Sequence, residues 1–450
     1  MPSPHVFLGC VLIRLSSRQD TNNGGTVKVS EMFGAASLLY NSKVKKEDIP
    51  FQNIYRLLDY LKEQQLYPDL PVISGGVNEP VCIVDGEEFL MFCANNYLSL
   101  SEDERVKEAG IAAIRKYGVG PGGSRVISGN VDIILELEDA IAEMVGAEAC
   151  LTLPTGYMAN VGVFKAVMDT FFVGLPYAKG SGVIFSDEYN HGSVVDGCRL
   201  SNAKKVIFKH GDFGDLEKKL GEHAKYPNKL IVTEGVFSLD GEITDLPALS
   251  KLAKKHGAKV MIDDAHGVGI LGKRGGGTPQ HHDCAQDIDI IMGCMDKAFG
   301  GTGGYLCGKR ELIDYLRVAE RSSILSSALT CEMSGAMLES VKIMEDGEGL
   351  RKELFEKAKY LRGRLVADGF RIVGKDILPS IALWVGKESD GIEFANRLFK
   401  RKIFSPVVRW PAVPEGEARF RIIVMRDHSR AQLDSYADAC KEIGTEMGLL

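Results

Sequence analysis

The sequence predicts an α/β protein organised on a mainly parallel sheet. The first reason is a set of short apolar runs that end in an acid or a glycine. Val260, Met261 and Ile262 run into Asp263, and Ile288, Ile290, Ile291 and Met292 run into Gly293. Runs of this kind read as strands buried on both faces. The second reason is alternation: the helical stretch DLPALSKLAKKHG (245–257) separates the strand-like KLIVT (229–233) from the run at 260–262. A strand–helix–strand order of this kind implies right-handed parallel crossovers. The third is position. Asp263, Asp264, His266 and Lys297 stand just past strand ends, where open α/β sheets present their sites.

In chain order, residues 1–48 form an N-terminal extension. Its run QDTNNGGT (19–26) is polar and turn-rich, and is expected to be flexible. Residues 49–94 are expected to be a helix and a hairpin. Ile54, Leu57, Leu58, Leu61 and Leu66 recur at near-helical spacing until Pro68, and EPVCIVDGEEFLMF (79–92) turns at Asp85-Gly86. FCANNYLSL (92–100) then leads into a large domain spanning 95–335. Its amide pair reads equally as turn chemistry or as a ligand contact. Helices are predicted over 102–117 and 131–145, flanking the glycine-rich GVGPGGSR (118–125). PTGYMAN (154–160) places a Thr-Gly-Tyr turn at a helix start, where the backbone N–H groups of Thr155, Gly156 and Tyr157 form a ready anion site. Residues 169–182 are an aromatic, glycine-rich connection. A C-terminal small domain, 336–450, begins in a helical region at 332–368 and then alternates strand and helix through ALWVG, EFANRLFKR and ARFRIIVM.

Composition narrows the class. The 450 residues exceed what one core usually serves, so two or three subdomains are expected. Apolar content of 45% and charged content of 26% are those of a soluble globular chain. A formal charge of −7 with no basic run gives no sign of nucleic-acid binding. The ten cysteines include no C-x-x-C pair, which suggests neither a metal site nor a disulfide framework and fits a reducing, cytoplasmic setting. No apolar run approaches the roughly 18 residues of a transmembrane segment, and HVFLGCVLI, followed directly by Arg14, makes a poor signal peptide.

The chemistry follows from a carboxylate, an imidazole and a lysine at adjacent strand ends. A lysine among partly buried groups can lose its proton and form a Schiff base with a carbonyl. If that carbonyl is the aldehyde of pyridoxal phosphate, the ring nitrogen needs an acid partner so that the ring can act as an electron sink. Asp263 suits that role, with His266 reaching the ring hydroxyl and Lys297 as the attachment point. Taken singly, Asp263 is as readily a helix cap and Lys297 a solvated surface lysine; together, the functional reading is the stronger.

Ordered motifs over roughly residues 50–445 then resemble the α-oxoamine synthase family of pyridoxal-phosphate enzymes: FCANNYLSL, GGSRVISGN (122–130), PTGYMAN, SDEYNHGSVVDG (186–197), TEGVFSLDGEITDLP (233–247), IDDAHGVGILG (262–272), DKAFGGTGGY (296–305) and VPEGEARFRI (413–422). The resemblance implies a fold-type I transferase, with a mainly parallel seven-stranded sheet in the large domain and a smaller α+β C-terminal domain. It implies a cytoplasmic acyltransferase that condenses an amino acid, alanine or serine before glycine, with an acyl-CoA or acyl-carrier-protein thioester, losing carbon dioxide. It also implies roles. His191 would stack on the cofactor ring and help with proton transfer, Ser238 would bond near the ring oxygen, and Gly156 with Tyr157 would bind the phosphate. Asn95 and Arg421 would hold the amino-acid carboxylate, with Arg409 a second basic position. Ser326 and Ser327 would reach the phosphate of the neighbouring subunit, making a homodimer with shared active sites. Two other readings are a non-catalytic partner subunit of a heterodimeric palmitoyltransferase, which typically lacks the lysine and the stacking histidine, and an aminotransferase of the same fold. The sequence departs from the family pattern at Cys294, Asp296, Trp410, Arg426 and Asp427. Cys294 removes a hydroxyl expected on the phosphate, and Asp296 sets a carboxylate beside Lys297.

Overall fold

The computed structural model describes residues 50–63, 71–168, 182–410 and 412–450. The expectations for the N-terminal extension, for Leu66 and Pro68, and for nearly all of the 169–182 connection lie outside the described residues.

Three strands open the described hairpin region: β1 (Ile73–Gly75), β2 (Val81–Val84) and β3 (Glu87–Met91). Asp85 and Gly86 both take positive φ, 52° and 82°, as a two-residue type I′ turn requires. The large sheet follows, from β4 (Ala149–Leu153), β5 (Gly182–Asp187), β6 (Lys204–Phe208) and β7 (Asn228–Glu234). After a short hairpin of β8 (Val236–Phe237) and β9 (Glu242–Ile243) come β10 (Lys259–Asp263), β11 (Ile290–Cys294) and β12 (Gly304–Gly308). The seven-stranded order is β4-β12-β11-β10-β7-β5-β6. Every pairing is parallel except those of β12, which runs antiparallel to both neighbours. The central strands are buried throughout, as their near-continuous apolar sequence requires. Their parallel course brings the carboxyl ends of β4, β5, β7, β10 and β11 to one edge.

The C-terminal strands are β13 (Ile372–Val373), β14 (Ser380–Gly386), β15 (Ile403–Phe404), β16 (Val407–Val408) and β17 (Ala418–Ile423). Four of them form the sheet β13-β14-β17-β16, while β15 pairs in parallel with β3. The N-terminal hairpin and the C-terminal region therefore share a sheet. Buried His428 fastens them: its Nδ1 accepts from Met425 N at 2.9 Å, its Nε2 lies 2.9 Å from the Met91 carbonyl, and its ring stacks on Phe92 at 4.4 Å. The helical region expected at 332–368 is two helices, Cys331–Glu345 and Glu348–Ala367. The break falls at Gly347, where a Cβ would come within 2.7 Å of the Ile343 carbonyl oxygen.

Candidate active site

Asp263 ends β10, and Lys297 lies three residues beyond β11. The parallel register Asp263↔Met292 sets both at the same edge. Asp263 is buried and accepts two hydrogen bonds, from Asn160 Nδ2 at 2.7 Å and from Ala265 N at 3.1 Å. Lys297 is buried as well, and its Nζ lies 3.2 and 3.5 Å from the two carboxylate oxygens of Asp296. Burial alone would push the Lys297 ammonium down. Cys294, Asp296 and Asp263 reverse this and hold it above the ordinary lysine range. Of these three, only Asp296 also touches the ammonium directly. Burial pushes the Cys294 thiol far up, so it is neutral near pH 7. Asp264, the other acid of the pair, is structural: it accepts from Thr278 N at 2.7 Å and Thr278 Oγ1 at 2.5 Å.

His266 meets the hydroxyl of Tyr97, 2.8 Å from its Nδ1. Burial first, then the positive charges of Lys297 and Arg421 and the ring of His191, hold His266 well below the usual histidine range. Burial also raises the Tyr97 phenol, which keeps its proton and donates it to Nδ1. Neutral His266 thus carries its own proton on Nε2.

His191 is the N-cap of the helix Gly192–Leu200, which follows β5. Its backbone N–H donates to Glu234 Oε1 at 2.8 Å, at the end of β7. Its Nδ1 accepts from Ser193 N at 3.3 Å and lies 2.7 Å from Ser193 Oγ. That hydroxyl in turn accepts from Asn160 Nδ2 at 2.9 Å and so donates to the ring. Burial lowers the pKa of His191, leaving a neutral ring with its proton on Nε2. Asn160 and Ser193 therefore link Asp263 to His191 in one hydrogen-bonded chain. Glu234 is held well above the carboxylate range, by burial first and then by the Asp263 charge.

The anion cradle stands at the start of the helix Gly156–Met168, directly after β4. A Cβ on Gly156 would lie 2.1 Å from Cys294 Sγ and 2.8 Å from Met292 Cε. A Cβ on Gly304 would lie 2.5 Å from the Gly156 nitrogen. Only glycines permit this close approach of backbone to backbone. Thr155 Oγ1 accepts from Met158 N at 3.2 Å. The Tyr157 hydroxyl donates to Asp196 Oδ2 at 2.7 Å, so this tyrosine offers its backbone rather than its hydroxyl.

Three distant segments meet at Arg421 on β17. Its Nη2 donates to Asn95 Oδ1 at 3.1 Å and its Nη1 to Ser238 Oγ at 3.4 Å. Arg409, just past β16, is partly buried and has no hydrogen bond to this cluster among the described residues. Ser326 and Ser327 follow the short helix Arg321–Ile324 and likewise have none to this cluster among the described residues. Tyr97, Asn160, Ser193 and Glu234 were not singled out from sequence. Each lies inside a motif quoted above, so the signal was composition within FCANNYLSL, PTGYMAN, NHGSVVDG and TEGVFSLD.

A lysine, a buried carboxylate three strand-end residues away from a neutral histidine, and a glycine-lined helix start fit pyridoxal phosphate. The model for the family "Aminotransferase class I and II" matches residues 87–439. An 8-amino-7-oxononanoate synthase from Thermoanaerobacter pseudethanolicus is 41% identical over 394 residues, 87% of this chain and 97% of the relative. One from Lysinibacillus sphaericus is 40% identical over 395 residues, 88% and 98% respectively. A serine palmitoyltransferase structure from S. paucimobilis, with a bound pyridoxal phosphate–myriocin aldimine, superposes with a TM-score of 0.82 at 27% identity. It covers 89% of this chain and 98% of that one. The chain belongs to the aminotransferase class I and II family. Within it the chain is an α-oxoamine synthase, an enzyme that depends on pyridoxal phosphate. Among the described residues, no helix is long and apolar enough to cross a membrane.

Proposed function

We propose that this enzyme condenses alanine with a pimeloyl thioester, releasing carbon dioxide, to give 8-amino-7-oxononanoate. The product in the relatives' name supports the choice. Its C7 ketone is an acyl carbonyl at the end of a seven-carbon diacid, and its C8 amine and terminal methyl are what alanine leaves after decarboxylation. The observation that carries the amino-acid half is the meeting of Arg421 with Asn95 and Ser238. A guanidinium fork suits a carboxylate, and Arg421 acts electrostatically on the same His266 as Lys297.

When bound, the cofactor supplies an electron sink for charge developing at the amino-acid α-carbon. The chain's residues do the rest. Lys297 would hold the cofactor, and its Nζ is the group that would take the α-proton of the amino acid. Asp263, oriented by Asn160, keeps a proton on the ring nitrogen. His191 and His266 would each offer an Nε2–H to the bound cofactor, with Ser238 nearby. Thr155, Gly156 and Tyr157 receive the phosphate at the helix start. Ser326 and Ser327 serve the phosphate in a second copy, in a homodimer. Arg409 is the group we assign to the distal carboxylate of the acyl chain. Lys297→Ala should abolish the visible absorbance and the activity together.

The deciding experiment titrates the purified protein with alanine, serine and glycine and records the visible spectrum, then assays pimeloyl-CoA and pimeloyl-carrier-protein turnover. Alanine should shift the band and support product formation. A response to serine alone, with palmitoyl thioester as acyl donor, would sink this assignment.

A further inference from the structure

We propose that Asp296 is a counter-ion that keeps Lys297 protonated before the cofactor is attached, and thereby sets the rate and pH dependence of attachment. This rests on the reading of Lys297 as the attachment lysine. The geometry is direct. Both hydrogen bonds that the structure gives Lys297 Nζ go to Asp296, at 3.2 and 3.5 Å. Asp263, the other nearby acid, is already engaged by Asn160 and by the Ala265 backbone. The Asp296 side chain is half exposed while that of Lys297 is not, 49% against 11%, so the carboxylate faces both the ammonium and water.

Among the groups facing Lys297 from each neighbouring element, Asp296 is the acid that touches its ammonium, while Glu234 at the end of β7 also feels the Lys297 charge but is held well above the carboxylate range by burial. From β11 comes Cys294, a neutral thiol. From the end of β10 come Asp263 and His266, and from the helix start His191; both rings are neutral. Tyr97 is an un-ionised phenol, and Arg421 is a cation that opposes a second positive charge. Attachment requires the neutral amine. The ammonium gives a proton to the Asp296 carboxylate and on to water. The Nζ lone pair then attacks the aldehyde carbon, the carbon–nitrogen bond forms, and the aldehyde oxygen leaves as water. A carboxylate that favours the ammonium slows the first of these events.

The test follows the rise of visible absorbance in cofactor-free full-length protein after mixing with pyridoxal or with pyridoxal phosphate, from pH 6 to 9.5. Asp296→Asn and Asp296→Ala should each attach pyridoxal about tenfold faster than the parent near neutral pH, with the rate profile moved about one pH unit towards acid. The gain is this small because a half-exposed carboxylate is screened by solvent. Equal or slower attachment in both variants overturns the proposal. So does a gain confined to pyridoxal phosphate, which would mean that Asp296 repels the phosphate across Cys294 and Gly156 instead. Absence of any absorbance in the parent with either aldehyde would overturn the reading of Lys297 itself.

Discussion

Two side chains decide where the protons sit on the site's histidines. Tyr97 donates to His266 Nδ1, and Asn160, through Ser193, makes His191 Nδ1 an acceptor. Tyr97→Phe removes the donor and frees both tautomers of His266. We expect about a tenfold loss in kcat with KM for alanine little changed, the cost of one neutral hydrogen bond of about 1 kcal/mol. An unchanged kcat with a shifted melting temperature would make Tyr97 merely structural. Asn160→Leu strips a donor from Asp263 and from Ser193 at once. A hydrogen bond to a charged group contributes about 1.5–3 kcal/mol, so cofactor affinity should fall roughly 10- to 100-fold, read by spectroscopic titration. These partners were not legible in the sequence. Asn160 and Asp263 lie 103 positions apart, and Tyr97 and His266 lie 169 apart. Residue type survives in a sequence, but the meeting of two side chains is set by the sheet order. Asp263 was legible because it ends an apolar run, and Lys297 because it stands just past one, a local pattern that already puts both at a strand's carboxyl end.

At the scale of elements, long apolar strands were readable and short ones were not. β10 and β11 declare themselves by composition, whereas β15 is two residues long and its pairing with β3 has no sequence signature. The consequence is the buried joint at His428. Burial lowers the pKa of this ring from the usual 6.5 to about 4, the Met91 and Met425 backbone bonds opposing the shift. A depressed pKa in the folded state stabilises above the unfolded value and loses that contribution as pH falls towards the folded one. Stability should therefore decline between about pH 6.5 and pH 4, by an amount of order 3 kcal/mol from this residue. Denaturant unfolding at a series of pH values measures it. His428→Phe should be weaker at neutral pH but flatter across that interval, and an equally steep variant would place the acid sensitivity elsewhere. The helix Pro50–Glu63 shows the reverse case: its amphipathic pattern was legible, yet Phe51, Ile54 and Leu57 stay exposed on the single chain.

The whole molecule makes the same point on a larger surface. Val119 and Ile127 on the glycine-rich loop are each 82% exposed, and Leu325 is 67% exposed beside Ser326 and Ser327. The two loops are held together, with Ala328 N donating to the Gly123 carbonyl at 3.0 Å. Apolar side chains on ordered loops mark an interaction surface when they cluster, and here they flank the serines assigned to a second copy's phosphate. The homodimer proposed above would account for both facts, since closing this face would bury the side chains and deliver the serines. The double substitution Ile127→Asp and Leu325→Asp should turn a dimer into a monomer by sedimentation, because each partner would have to bury two unpaired carboxylates. The variant should keep its far-ultraviolet spectrum, since both residues are exposed in the chain. It should lose cofactor on dialysis, and Ser326→Ala with Ser327→Ala in an intact dimer should reproduce part of that loss. A parent protein that sediments as a monomer while fully loaded and active would show that one chain makes a complete site, and would remove the serines from it.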